Sequence, residues 1–103
     1  MINSNLNISA DKQREIESLV FKRLLEHLDN NKDVQNIDLM IIADFCRNCL
    51  SKWFVKAAEE LGETVDYEAA RERVYGMPYE TWKAEHQTEA TEDQMRQLKQ
   101  RRG

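Results

Sequence analysis

The fold is decided by residues 36–62, NIDLMIIADFCRNCLSKWFVKAAEELG. No proline or glycine interrupts residues 37–61, and Gly62 stands where a left-handed residue commonly ends a helix. Asn36 or Asp38 can cap the start, because a short side-chain acceptor satisfies a free backbone N–H. The segment therefore predicts one long central helix.

Apolar residues of this segment recur at the three- and four-residue spacing of a helix. They are Leu39, Ile42, Cys46, Cys49 and Trp53. Because such a stripe normally faces a core, we expect Trp53 to be buried with its indole N–H hydrogen-bonded. Ile41 and Phe45 fall among the polar residues of the opposite side, so the helix needs cover on both faces, from a second layer or from a partner subunit.

The composition favours a small helical protein. The chain has 103 residues, enough for one domain with a modest core, and its three glycines and one proline leave little material for β-turns. We predict an all-α fold, a small bundle of about five helices around the long central helix. The predicted organisation is a flexible N-terminal tail over residues 1–8 and a single helical domain over residues 9–103.

The charge and hydropathy exclude some partners. A net charge of −4 and a pI of about 5.2 disfavour nucleic acid or an anionic membrane as the main partner, because both require a basic surface. No apolar run approaches the roughly 20 residues of a membrane span, and the N-terminus lacks the apolar core of a signal peptide. We expect a cytoplasmic protein with reduced cysteines.

Local signals indicate four further helices outside the central one. Each signal is a capping residue or a first-turn proline. The predicted starts are Ser9, Thr64 or Asp66, Pro78 and Thr91, and the helices they open cover residues 10–28, residues 67–75, a short segment after Pro78, and residues 91–99.

Several strings of the sequence carry a resemblance to a known family. They are DVQNIDLM at residues 33–40, DFCRNCLSKW at 44–53, ARERVYGMPYETWKAEHQ at 70–87 and EATEDQ at 89–94. Together they resemble the bacterial domain-of-unknown-function family 1244, and the strings FCRNCL and YGMPY are unusual enough to be specific. The resemblance implies a small, stand-alone, all-helical bacterial protein, and it supplies no catalytic residues.

Cys46 and Cys49 form a C-x-x-C motif. Thioredoxin-like redox chemistry requires this motif at a helix N-terminus, where free N–H groups lower the thiol pKa. The predicted central helix instead places the pair about two turns inside, where a disulfide would strain the helix. We therefore favour the interpretation that both cysteines are small buried hydrophobes, and redox chemistry is disfavoured.

Zinc binding is the alternative for the same pair. Cys46, Cys49, His27 and His86 are all the cysteines and histidines of the chain, and two thiolates with two imidazoles suit tetrahedral zinc. His27 and His86 fall on the predicted inward faces of their helices. Because no second C-x-x-C and no H-x₃-H motif accompanies them, histidines hydrogen-bonded between helices, with no bound cofactor, are the simpler interpretation.

An aromatic cluster with arginine occupies residues 67–86. Its members are Arg71, Tyr75, Tyr79 and Trp82, with Tyr67, Arg73 and His86 beside them. Aromatic side chains with arginine can form a binding surface, or a core layer whose hydroxyls reach the edge. We favour a core layer or a subunit interface.

These features predict a homodimer that acts as an interaction or scaffolding module. We expect Ile41, Phe45 or the face of Tyr79 and Trp82 to be buried between subunits, because obligate dimer interfaces resemble a core cut in half. The alternative is a zinc- or thiol-dependent site at Cys46 and Cys49. The sequence contains no glycine-rich phosphate loop and no H-E-x-x-H motif, so it indicates no particular enzyme class.

Overall fold

The computed structural model describes residues 6–103, which form six α-helices and no β-strand. The helices are α1 (Ala10–Asp29), α2 (Asn36–Ala43), α3 (Arg47–Glu60), α4 (Tyr67–Tyr75), α5 (Tyr79–His86) and α6 (Glu92–Arg102). The predicted all-α fold is confirmed. Most of the predicted flexible tail, residues 1–5, lies outside the described residues, and its flexibility stays a prediction.

The chain divides into two compact units, one ending at Asn30 and the other comprising Asn31–Gly103. The first contains α1, which Ser9 caps as predicted, its Oγ accepting a hydrogen bond from the Lys12 N–H at 3.1 Å. Leu25 and Leu28 of α1 are buried, whereas Ile16, Leu19 and Val20 are exposed. The single domain over residues 9–103 stays a prediction.

Within residues 31–103, α3 packs against α4, α2 against α6, and α4 against α5. The starts of the last three helices follow their sequence signals, with Asp66, Pro78 and Thr91 as the N-cap residues, and α6 extends three residues beyond its predicted end at residue 99. Asp66 Oδ2 accepts from the Ala69 N–H at 3.3 Å to start α4, and Gly76 ends that helix with φ of 74°. Gln94 of α6 donates through Nε2 to Asp38 Oδ1 of α2 at 2.9 Å, which ties these two helices together.

The prediction of one continuous central helix is wrong, because residues 36–60 form two helices. Asp44 ends α2 in the left-handed conformation, with φ of 56° and ψ of 34°, and its N–H donates to the Met40 carbonyl at 3.1 Å. Cys46 is extended, and α3 begins at Arg47. Because aspartate enters the left-handed region more readily than most residues, the chain turns here without glycine or proline.

The turn at Asp44 resets the helical phase, so the predicted apolar stripe does not hold. Ile42 is 78% exposed and Trp53 is 58% exposed, and the prediction that Trp53 is buried is therefore wrong. The buried apolar residues of this unit are instead Cys46, Leu50, Ala70, Val74, Tyr75 and Trp82.

None of the helices in residues 6–103 combines enough length with enough apolar character to cross a membrane.

Candidate functional site

The cysteine pair lies at the N-terminus of α3, so its predicted position inside a helix is wrong. Cys46 is the N-cap residue and Cys49 belongs to the first turn. The two Sγ atoms are 3.8 Å apart, Cys46 is buried, and Cys49 is partly exposed. The sequence disfavours redox chemistry because it predicts the pair inside a helix. The structure places the pair at a helix N-terminus, which is the position that such chemistry uses.

The environment of Cys46 acts on its thiol in two directions. Burial raises the pKa of Cys46, since it disfavours the charged thiolate, and the neighbouring Cys49 raises it further. The backbone N–H groups of Cys49 and Asn48 act in the opposite sense and lower this pKa. The net effect is a raised pKa, so the Cys46 thiol is protonated at neutral pH.

Arg47, which follows the N-cap, is 2% exposed and anchors a polar network. Its Nη1 donates to the Val34 carbonyl at 2.8 Å and to Asn36 Oδ1 at 3.1 Å, and its Nη2 donates to the Asn31 carbonyl at 3.1 Å. The guanidinium carbon lies 4.9 Å from the centroid of the Trp82 ring. Arg47 thus holds the connection before α2 against the start of α3.

Asn36 continues the network to α4. Its Oδ1 accepts from the Arg47 backbone N–H at 3.2 Å, and its Nδ2 donates to the Tyr75 hydroxyl at 3.0 Å. The Tyr75 hydroxyl donates in turn to Asn48 Oδ1 at 2.7 Å. Burial raises the pKa of Tyr75, which keeps its hydroxyl protonated and able to donate.

Gln35 connects the start of α2 to the end of α5. Its side chain is buried; its Nε2 donates to the His86 carbonyl at 2.9 Å, and its Oε1 accepts from the Thr88 N–H at 2.9 Å. Its backbone N–H donates to Asp38 Oδ2 at 2.9 Å. One residue therefore fixes the segment after α5 beside the first turn of α2.

A cleft of about 420 Å³ adjoins this network. Asn36, Asn48 and Tyr79 contribute to its wall, and the Tyr79 hydroxyl lies 3.4 Å from Gln87 Oε1. The remaining lining residues are Gln35, Ile37, Gln87, Thr88, Glu89 and Ala90. The cleft offers amide and hydroxyl groups for hydrogen bonding, and no cysteine or histidine is among these lining residues.

The aromatic cluster divides into a buried part and a partly exposed part. Tyr75 and Trp82 are buried with ring centroids 5.0 Å apart, which leaves Trp82 no surface to offer a partner. Arg71 pairs with Glu68, and its guanidinium carbon lies 3.9 Å from the centroid of the Tyr79 ring. Tyr67 packs on the same guanidinium at 4.7 Å. The cluster is therefore a core layer with a cation–π edge.

The two histidines lie in different settings. His27 is exposed on α1, in contrast to its predicted inward position. His86 is partly exposed, with its ring 5.8 Å from that of Trp82. In the described part of the chain, no group of three or more His, Cys, Asp or Glu side chains could hold a metal ion. Of the predicted ligands, the cysteines form the pair described above, and zinc binding by the full set stays a prediction.

The partly exposed Phe45 and the exposed Trp53 form an aromatic pair, hereafter the Phe45–Trp53 patch. Their rings are nearly parallel, with centroids 6.4 Å apart and an interplanar angle of 14°. Phe45 lies in the link between α2 and α3, and Trp53 is on the outer side of α3. Of the other predicted interface residues, Ile41 is partly buried.

Residues 34–100 match the family described as Protein of unknown function (DUF1244). The chain belongs to this family. The match confirms the resemblance carried by residues 33–94 of this DUF1244 protein. No match to a curated protein was found. The matched range contains both cysteines, Arg47 and Asn36, so the geometry described above lies almost wholly within the family domain.

Four residues of this DUF1244 site were missed from the sequence: Gln35, Asn36, Arg47 and Asn48. Each is polar, and polar residues in a helical pattern normally indicate the solvent side. Their partners are 11 to 53 residues away in the chain, so no local spacing reveals them. The one signal for these residues in the sequence was that asparagine and glutamine side chains surround a segment that is otherwise strongly apolar.

Proposed function

We propose that this DUF1244 protein is a homodimeric interaction module, with the Phe45–Trp53 patch at its subunit interface. The observation that carries the proposal is the exposure of Trp53, which is 58% exposed although it stacks on a second aromatic ring. Aromatic residues are enriched in the buried centres of protein interfaces, where they contribute large apolar area. Covering Trp53 would remove that area from water.

A second copy of the chain suits this patch as a partner. A two-fold dimer brings the same surface of both copies together, so an interface must be complementary to itself. A nearly parallel pair of rings meets this condition, because it can stack on an identical pair. The acidic charge of −4 favours a protein surface over nucleic acid or an anionic membrane. The proposed location is the cytoplasm, as expected from the sequence.

Light scattering at micromolar concentration tests the proposal. We expect twice the chain mass of 12.2 kDa for the wild type and a monomer for Trp53→Ser. Leu61→Ser is the matched control, since Leu61 is 83% exposed at the C-terminal end of the same helix, away from the patch. This control should remain dimeric, and circular dichroism should show unchanged helix content in both variants.

The proposal fails if the wild type is monomeric at these concentrations. It also fails if Trp53→Ser and Leu61→Ser dissociate to the same extent, because the association would then not depend on the aromatic pair.

A further inference from the structure

We propose that Cys46 and Cys49 form a thiol–disulfide exchange site, in which Cys49 attacks a small organic disulfide and Cys46 resolves the resulting mixed disulfide. This activity goes beyond the interaction module and does not depend on dimer formation. Three features of the described residues carry it: the distance between the sulfurs, the helix terminus, and the difference in burial.

The sulfur atoms are close enough to join after a small movement. They are 3.8 Å apart, and a disulfide bond measures about 2.0 Å. Cys46 precedes the first helical residue and has extended backbone, with φ of −152° and ψ of 179°. Closing the bond therefore moves a residue that precedes the helix and whose carbonyl accepts from the Leu50 N–H at 3.2 Å.

The start of α3 presents groups that stabilise a thiolate. The first turn of a helix presents free N–H groups and the positive end of the helix dipole, and both stabilise a negative sulfur. The N–H groups of Asn48 and Cys49 act on the Cys46 sulfur in this sense, against burial, which has the larger effect and leaves the pKa of Cys46 raised. The helix is 14 residues long, which gives it a developed dipole.

Burial assigns the two roles. Cys46 is 5% exposed, whereas Cys49 is partly exposed, so a reagent from solution reaches Cys49 first. Cys46 is protected from the reagent but lies beside the sulfur that the reagent modifies. This is the arrangement of an attacking thiol with an adjacent resolving thiol.

The reaction balances in two exchange steps. The Cys49 thiolate attacks one sulfur of the disulfide RSSR; a bond from Cys49 to that sulfur forms, the S–S bond of RSSR breaks, and RS⁻ leaves and takes a proton. Cys46 then loses its proton and attacks the Cys49 sulfur, releasing the second RSH. The dithiol loses two electrons and two protons, and RSSR is reduced to two RSH.

Oxidised glutathione is the probe, and mass spectrometry after acid quenching is the measurement. The wild type should lose two hydrogens and carry no adduct at equilibrium. Cys46→Ser should stop at a glutathione adduct on Cys49, at least about tenfold more abundant than in the wild type, because the intramolecular step is absent. Cys49→Ser should remain largely unmodified, since its remaining thiol is buried.

The pH dependence sharpens the test. Because the pKa of Cys46 is raised, the resolving thiol is protonated at neutral pH, and only its thiolate reacts. The rate of adduct loss in the wild type should therefore rise about tenfold per pH unit up to that pKa. A rate that does not change with pH would contradict the role of Cys46.

Two outcomes overturn the proposal: a wild type that stays a dithiol in excess oxidised glutathione, or equal adduct levels in wild type and Cys46→Ser. If Cys46→Ser fails to fold by circular dichroism, Cys46→Ala and the transient adduct of the wild type give the same comparison. Leu61→Ser should exchange like the wild type, and because the adduct is measured on each chain, the test holds whether the wild type is a monomer or a dimer.

Discussion

The N-termini of α6 and α3 are built in different ways. At α6, Thr91 Oγ1 accepts from the Gln94 N–H at 3.0 Å, and Gln94 Oε1 accepts from the Thr91 N–H at 2.8 Å, both on the surface. At α3, the first helical N–H, that of Arg47, is bound by Asn36, which lies 11 residues earlier. Four consecutive residues specify the start of α6, whereas the cap of α3 forms only after α2 and α3 have come together.

This difference has a consequence for the cysteine pair. A capping box can form in an isolated helix, so the start of α6 tolerates changes elsewhere in the chain. The start of α3 relies on the network of Asn36 and Arg47, and the separation of Cys46 from Cys49 relies on that start. The thiol geometry is therefore a property of the packed unit, and loss of the network should disturb it.

The largest effect is expected from Arg47→Met, which removes the buried guanidinium. The Val34 carbonyl loses this donor and the Asn31 carbonyl keeps the Val34 N–H as a donor, and a buried group left unsatisfied destabilises by roughly 1–3 kcal/mol. We expect the free energy of unfolding in urea to fall by about 3–5 kcal/mol. Arg96→Met in α6, whose side chain is 69% exposed, is the control and should change it by less than about 0.5 kcal/mol.

A smaller and more direct test compares the two caps themselves. Thr91→Ala should lower the free energy of unfolding by about 1 kcal/mol, the usual effect of losing an exposed cap. Asn36→Ala should lower it by about 2–3 kcal/mol, because the bonds to Arg47 and Tyr75 are lost together. Equal losses in chemical denaturation would show that both termini are locally specified.

The smallest effect is expected at Asp44, where α2 ends. Glycine adopts the left-handed conformation without strain, so Asp44→Gly should remain within about 0.5 kcal/mol of the wild type. Alanine lacks the short polar side chain that helps aspartate there, and Asp44→Ala should be about 1 kcal/mol less stable. If both variants unfold at the same urea concentration, the turn does not limit the stability of this junction.

The sequence was sufficient wherever the signal for a helix end lay within a few residues of it. Ser9, Asp66 and Thr91 each accept from a backbone N–H three residues ahead, and Gly76 supplies a left-handed residue after α4. These ends depend on local stereochemistry, which one sequence contains in full.

The break between α2 and α3 could not be predicted in the same way. Asp44 is an infrequent left-handed residue, and the acceptor for the next helix start, Asn36, comes from tertiary packing. The prediction continues one helical period through Asp44, and this error is the reason that Trp53 is predicted to lie in the core. The interpretation of Trp82 and Tyr75 does not depend on this error, because they lie in short helices whose starts are correctly predicted.

The Gln35 side-chain amide forms the two hydrogen bonds to peptide groups that the backbone of a neighbouring β-strand would form. Its amide donates to the His86 carbonyl and accepts from the Thr88 N–H, 51 and 53 residues further along the chain. Glutamate lacks the donor, and asparagine is one methylene shorter. The choice of amino acid at position 35 is thus restricted by two peptide groups at the end of α5.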